Sequence, residues 1–336
     1  MCKRKLWWPA LVVLSLILCA SPATVAAEVQ GDGEERVWTV AVIADLNSRF
    51  GSTSHNEHVH AAARWLSEDL QPDLVICAGD MVAGQRASLD YPAMWEAFHE
   101  AVTDRLAAAG IPLAVSPGNH DASEQPPFWK ERIEFVRQWK KRRPHLNFVD
   151  DANYPFYYAF EVGPALFISM DGTGVGDLDE RQRLWIDETL AENDHLEVSI
   201  LFTHVPQYAV AQGREHEIFA DEQLAEILAR HEVDMMVSGH HHAYYPARRD
   251  GTIFLHASAL GDGVRMLVGE RQRRPRNVAV IRFDESGLLG FEAYESPDFT
   301  DVVDHRELPE SVGEGELQIW RYDLGSKADD EAEPDS

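Results

Sequence analysis

Cysteine is scarce in this chain of 336 residues: there are three. Cys2 and Cys19 lie in an N-terminal segment of leader type. Without that segment Cys77 stands alone, and no intramolecular disulfide can form. A thiolate-built structural zinc site is excluded for the same reason. Cys77 sits in an apolar run and reads as a small core residue. Basic residues are also few, 30 Lys and Arg against 57 Asp and Glu, giving a formal net charge of −27. So acidic a surface argues against general binding to nucleic acid or to anionic membranes. Membrane-spanning runs are missing too. The apolar stretch at 6–18 is short of the ~20 residues a span needs, and nothing later is longer and equally apolar.

That stretch has a specific setting. Lys3, Arg4 and Lys5 precede it, and Pro22 and small residues follow, with Val25 and Ala27 at −3 and −1 of a cleavage point before Glu28. The order of basic, apolar and small residues predicts a signal peptide over 1–27 and a periplasmic or secreted protein with no membrane attachment after cleavage. A retained anchor is the alternative. Residues 28–325 then form one domain, and the acidic tail 326–336 is predicted disordered. An exported chain without disulfides needs a substantial core or a metal to hold it. Against the acidic background, the segment 271–276, with Arg273 and Arg274, is a cationic exception. It is either a solvated loop or one that faces substrate.

Between 37 and 295 short apolar runs alternate with helical patterns. Runs at 37–44, 74–78, 113–115, 166–170, 198–202 and 233–237 are apolar on both faces, as in a covered sheet. Apolar residues recur at helical spacing over 56–70, 93–109, 128–142, 179–192 and 217–229. Residues 278–283 and 289–294 read as strands with no helix between them, and 319–322 as a late strand or docking segment. The whole reads as a mixed α/β domain of layered sheets with outer helices.

What ends the strands is more informative. Five runs lead in turn into Asp45-Leu46-Asn47, Gly79-Asp80, Gly118-Asn119-His120-Asp121, Thr203-His204 and Gly239-His240-His241-His242. The C-terminal edge of such sheets is where ligands bind. Carboxylate, amide oxygen and imidazole together suit transition metals. Each piece alone reads equally as a turn or a core histidine; the five in order point to a metal site.

These ordered motifs resemble those of the calcineurin-like metallophosphoesterase family, D-x-H, G-D, G-N-H-[DE], a lone His and G-H-x-H, over roughly residues 37–294. The resemblance implies an α/β fold, a four-layer α/β/β/α sandwich of two mixed sheets flanked by helices. It implies two divalent or trivalent metal ions, Mn, Fe or Zn. Asp45, Asp80 and His242 would hold the first, and Asp80, Asn119, His204 and His240 the second, with Asp80 bridging. His120 would face the leaving oxygen, and His241 would point away from the metals. Asn47 stands where the family has His. As an amide it would ligate the first metal and favour Mn²⁺ there, or else hold a water. The Tyr ligand of purple acid phosphatases and the Asp-Arg pair of protein Ser/Thr phosphatases are missing, since Met81-Val82-Ala83 follows Asp80.

Other residues have two readings each. Ser52 and Thr53 would cap the next helix or face a phosphate. His55, His58 and His60 would be solvated, semi-buried or ligate a third metal. Tyr244 and Tyr245 would line the cleft or the core. Asp171 would orient a metal ligand. The function implied is hydrolysis of phosphomonoesters or phosphodiesters on a small phosphorylated substrate such as a nucleotide. The competing readings are a nuclease, which the charge opposes, and a non-catalytic scaffold of the same fold. The sequence sets no oligomeric state.

Overall fold

β-Branched and aromatic runs flanked by turn residues become strands here, and their register carries the site. The computed structural model describes residues 36–86 and 88–324. The predicted leader over 1–27 and the tail over 326–336 lie outside the described residues. In chain order the strands are β1 Trp38–Ile43, β2 Leu74–Cys77, β3 Leu113–Val115, β4 Asn147–Asp150, β5 Tyr158–Val162, β6 Ala165–Ser169, β7 Val198–Phe202, β8 Met235–Ser238, β9 Tyr245–Arg249, β10 Thr252–His256, β11 Asn277–Asp284, β12 Gly287–Glu295, β13 Ser311–Val312 and β14 Ile319–Arg321. The helices are α1 Glu57–Trp65, α2 Tyr91–Phe98, α3 Asp104–Ala108, α4 Asn119–Ala122, α5 Trp129–Lys141, α6 Glu180–Glu192 and α7 Glu222–Arg230.

Two mixed sheets form. One has the order β12-β11-β1-β2-β3, the other β13-β14-β9-β10-β8-β7-β6-β5-β4. β1, β2 and β3 run parallel, as do β6, β7, β8 and β10, while β11 and β12 join antiparallel. The sheets meet through buried aromatics, with the Phe167 and Phe283 rings 6.1 Å apart. Polar contacts link them as well: the Tyr158 hydroxyl accepts from the Val115 N–H at 2.8 Å, and Ser169 Oγ donates to the Val115 carbonyl at 3.1 Å. Cys77 is a core residue, fully buried.

The helices begin where side chains satisfy their first N–H groups. Asn56 caps α1, accepting from His58 and Val59, and Asp179 and Asp221 cap α6 and α7. Two expectations change here. The helix predicted from 217 starts only at Glu222, because Asp221 is its cap, so Glu217 stands in the preceding loop. Ser52 does not cap α1 either; its hydroxyl closes a local turn with Ser54. The pattern over 56–70 and 93–109 is helical throughout, yet each stretch widens into a π-turn, Leu66–Leu70 and His99–Thr103. Among the described residues no helix is long and apolar enough to cross a membrane.

Candidate metal centre

Strand register brings the motifs level. β1 and β2 pair Ile43 with Cys77, so the next residues stay in step and the Asp45 N–H donates to the Gly79 carbonyl at 3.0 Å. β7 and β8 pair Phe202 with Val237, and the Gly239 N–H reaches the His204 carbonyl at 3.0 Å. Gly118 lets the third loop close on the second. A Cβ there would lie 2.1 Å from Asp80 N and 2.3 Å from Asp80 Oδ1. Asp121 ties the two loops, accepting from the Val82 and Gly118 N–H groups at 2.9 Å each. Burial, with Asp80 beside it, raises the Asp121 carboxyl to about 8.

The backbone is strained where it presents the expected ligands. Asp45, Asp80, His240 and His242 all have left-handed φ, at 52°, 57°, 64° and 54°. Such positions cost ~1–3 kcal/mol each in a non-glycine residue and cluster at functional sites.

Each imidazole is pinned on its outer nitrogen by an acceptor. His204 Nδ1 meets the Ala78 carbonyl at 2.9 Å, His240 Nε2 the Glu217 carboxylate at 2.9 Å, and His242 Nδ1 the Gly263 carbonyl at 3.1 Å. At His204 and His242 the proton of a neutral ring therefore sits outside and the lone pair faces in, while at His240 the Arg214 guanidinium also approaches Nε2, at 3.2 Å. Inside, His204 Nε2 lies 2.9 Å from Asn119 Oδ1, 3.2 Å from His240 Nδ1 and 3.3 Å from Asp80 Oδ1. His242 Nε2 lies 3.2 Å from Asp45 Oδ1. One donor atom each from Asp45, Asp80 and His242 falls within 4.8 Å of the others. Acceptors thus converge on acceptors, an arrangement that only protons or cations satisfy. The donor set, hard carboxylates with imidazoles, fits transition cations.

The electrostatics agree. Burial works against an imidazolium at His204, but the Asp80 carboxylate outweighs it and lifts the ring to about 9. Burial likewise opposes charge on Asp80, yet His204 and His120 hold it well below the usual carboxylate range. The hydrogen bond to His240 draws the Glu217 carboxyl down to about 2, so it stays a carboxylate.

The eight residues predicted from the motifs divide cleanly. Asp45, Asp80, Asn119, His204, His240 and His242 converge as described. Asn47 differs. Its amide nitrogen donates to Asp80 Oδ2 at 3.3 Å and to the Val82 carbonyl at 3.4 Å, so it serves the central carboxylate as a donor and does not turn an oxygen into the cluster. His120 stands at the mouth, its Nε2 4.0 Å from Asp80 Oδ2. The Gly84 carbonyl, 3.3 Å from Nδ1, and the Phe50 ring, 5.2 Å away, hold it. His241 points elsewhere: its Nδ1 accepts from the Val210 N–H at 3.1 Å, and Nε2 meets the Glu217 carbonyl at 3.0 Å. A cavity of about 220 Å³ opens on the cluster, with Ser48, Arg49, Phe50, Arg214 and Asp262 on its walls.

Among the residues with two readings, His55 and His58 bond to the Leu46 carbonyl and to Ser296, and Tyr244 and Tyr245 are core residues. Asp171 pairs with Arg132 and not with a metal ligand. Sequence reasoning missed Glu217, Gly84 and Arg214. Glu217 carries no local motif, since its role depends on a histidine 23 positions away.

A family model for calcineurin-like phosphoesterases matches residues 39–244. The chain belongs to the calcineurin-like phosphoesterase family. Its site is that of a family of phosphoester hydrolases, typically dependent on a dinuclear metal centre. A probable purple acid phosphatase 20 of Arabidopsis thaliana is 25% identical over 210 residues, covering 61% of this chain and 45% of the relative. The purple acid phosphatase PPD1 of yellow lupin, Lupinus luteus, has a similar fold, with a TM-score of 0.61 at 18% identity over 81% of this chain and 53% of that one. GAP50 of Plasmodium, described as the anchor in the inner membrane complex, has a TM-score of 0.55 at 12% identity over 89% of this phosphoesterase and 95% of that chain. This phosphoesterase spans about half the length of the plant relatives it matches.

Proposed function

We propose that the protein hydrolyses phosphoesters of small molecules at a dinuclear metal centre, with Asp45, Asp80 and His242 holding one cation and Asp80, Asn119, His204 and His240 the other. The observation that carries this is the set of imidazoles pinned from outside, with lone pairs turned onto carboxylate and amide oxygens. Cations held by these residues would supply charge neutralisation at the phosphoryl oxygens and would lower the pKa of water towards neutrality. The chain's own groups do the rest. Asp80 lies between the two donor sets and fixes their spacing. Asn47 donates to Asp80 and holds its orientation. With two carboxylates to one imidazole, the first position is richer in hard oxygen donors than the second, which tilts it towards Mn²⁺. His120 keeps Nε2 free because Gly84 takes the other nitrogen, so its imidazolium can give a proton to the leaving oxygen.

The purple acid phosphatase relatives do not bring their tyrosine ligand here, since no tyrosine lines the cleft. That the GAP50 fold serves as an anchor keeps a non-catalytic scaffold as the second reading. His120 at the mouth argues against it, because a scaffold has no use for a leaving-group acid. The leader-type segment supports a periplasmic or secreted setting and a small exported-compartment substrate, such as a nucleotide.

The test compares a phosphomonoester and a phosphodiester of one chromophore, each with Mn²⁺, Zn²⁺ and Mg²⁺. We expect hydrolysis of at least one ester, fastest with Mn²⁺, and about two transition ions per chain. No bound ions and no turnover under any loading would leave the scaffold.

A further inference from the structure

A second cavity of about 410 Å³ adjoins the metal cleft, with Gln212, Arg265, Met266, Arg273 and Arg276 on its walls. Gly263 lines both cavities, and its carbonyl is the one that pins His242. The loop that forms the shared wall is tied to the centre at several points. Gly261 N–H donates to the Asp45 carbonyl at 2.7 Å, Asp262 N–H to the Asn47 carbonyl at 3.0 Å, and Arg265 N–H to the His242 carbonyl at 3.1 Å. Met266 bridges to Arg273, which brings the cationic segment noted in the sequence against this wall.

The charge pattern here is the reverse of the rest of the molecule. Acidic residues outnumber basic ones 57 to 30, yet no carboxylate lines this cavity. Other arginines of the chain are neutralised, Arg274 by Glu270, Arg282 by Glu292 and Arg321 by Asp323. Among the described residues Arg265, Arg273 and Arg276 have no ion pair. Arg276 spends Nε on the Gly261 carbonyl at 3.0 Å, and Arg265 Nε is buried with no partner. Burial and the nearby Arg214 hold the Arg265 guanidinium below its ordinary value, against the pull of Glu217 and Asp45. Guanidinium groups are weakly hydrated forks that match phosphate oxygens two at a time. Three of them gathered without an ion pair form a site for an anion.

We propose that this cavity is an anion subsite that takes a second phosphoryl group of the substrate while the first lies in the metal cleft. The preferred substrates are then small molecules carrying two phosphoryl groups, such as sugar bisphosphates or nucleoside diphosphates. This rests on the phosphoesterase reading above, and two measurements separate them. In the first, the Mn²⁺-loaded full chain is assayed with a sugar bisphosphate and the matching monophosphate. Wild type should favour the bisphosphate in kcat/KM by roughly tenfold or more, the scale of one charge-assisted contact. Arg273→Ala and Arg265→Gln should each remove most of that preference through KM for the bisphosphate. Arg306→Ala, a surface arginine paired with Asp304, should keep it. In the second, the metal-free full chain is titrated with inorganic pyrophosphate by calorimetry; binding should weaken roughly tenfold in both cavity variants. Equal preference for the two sugars in wild type, or variants that bind pyrophosphate as wild type does, would overturn the subsite. If neither sugar phosphate is hydrolysed but pyrophosphate binding depends on Arg273 and Arg265, the subsite stands and the catalytic reading falls.

Discussion

His120 and Glu217 show how much of this site depends on single outer contacts. His120 is held through Nδ1 by the backbone carbonyl of Gly84, 3.3 Å away. Its Nε2 stands 4.0 Å from Asp80 Oδ2 on the wall of the cleft, where the proposed mechanism uses it as the acid. His120→Ala should therefore lower kcat by about 10²–10⁴-fold, the usual contribution of a positioned acid. Bound metal per chain, measured by atomic emission, should stay at the wild-type level, and a variant that loses its ions would remove His120 from this role. Glu217 acts one step further out. It accepts the outer proton of His240 and also pairs with Arg214, so it sets both the tautomer and the tilt of the ring. Glu217→Ala should weaken metal affinity by ~10–100-fold, as loss of such outer partners does. Competition against a chromogenic chelator reads this directly, and unchanged affinity would show that His240 is oriented by other means.

At the scale of elements, the segment from α2 through the π-turn to α3 buries an aromatic group against α5. Trp95, Phe98 and Trp139 surround His99, whose ring meets Thr103 Oγ1 at 3.0 Å and Gln138 Oε1 at 3.3 Å. Burial pushes the His99 imidazole down to about 3, with Arg142 adding to the effect. The folded state thus needs the neutral ring, while the unfolded chain titrates near 6.5. The stability that His99 contributes is fully present above pH ~6.5 and is lost as pH falls through that value towards 3. Its share of the slope is about 1.4 kcal/mol per pH unit. Chemical denaturation of His99→Gln between pH ~6.5 and ~5 should be less pH-dependent than wild type by roughly that amount. Parallel curves for the two proteins would show that the ring is solvated.

The whole molecule holds a strained, acidic centre at the edge of two sheets. Four left-handed non-glycine residues and the buried Asp45, Asp80 and Asp121 oppose folding locally, and the surrounding core and any bound cations offset them. Ions that bind only the folded chain stabilise it by ~2.7 kcal/mol at one hundred times their dissociation constant. For a domain of this size, at an unfolding entropy of about 2.1 cal/mol/K per residue, each kcal/mol shifts Tm by roughly 1.5–2 °C. Chelation should accordingly lower Tm by about 4–5 °C, and added Mn²⁺ should restore it. A Tm that ignores both treatments would mean that the centre binds no ion at working concentrations. The net charge of −27 adds self-repulsion of the compact state, which salt screens, so ionic strength must be matched in that comparison.

Much of this was legible in the sequence. Apolar runs that end in Asp, Asn or His placed most of the strands, ordered the motifs and pointed to the candidate metal centre, because strand formation and the residues that follow a strand are local properties. The α/β class and its layered sheets followed from the same pattern, while the number of sheets, two, was implied by the family resemblance. The short strands β4, β5, β9, β10 and β13 were not legible, since edge pairing and hairpins of few residues carry little periodic signal. Only the tertiary structure decided which face each polar group turned. Asn47 became a donor to Asp80 because the Val82 carbonyl sits within reach of its nitrogen. Glu217 became the anchor of His240 because the cap at Asp221 kept it out of α7. Arg265, Arg273 and Arg276 came together beside Gly263 because the loop after Gly261 is hydrogen-bonded to the backbone of Asp45, Asn47 and His242. Sequence spacing fixes which chemistry arrives at a strand end, whereas tautomer, amide orientation and unpaired charge depend on partners far along the chain, and those exist only once the two sheets have packed.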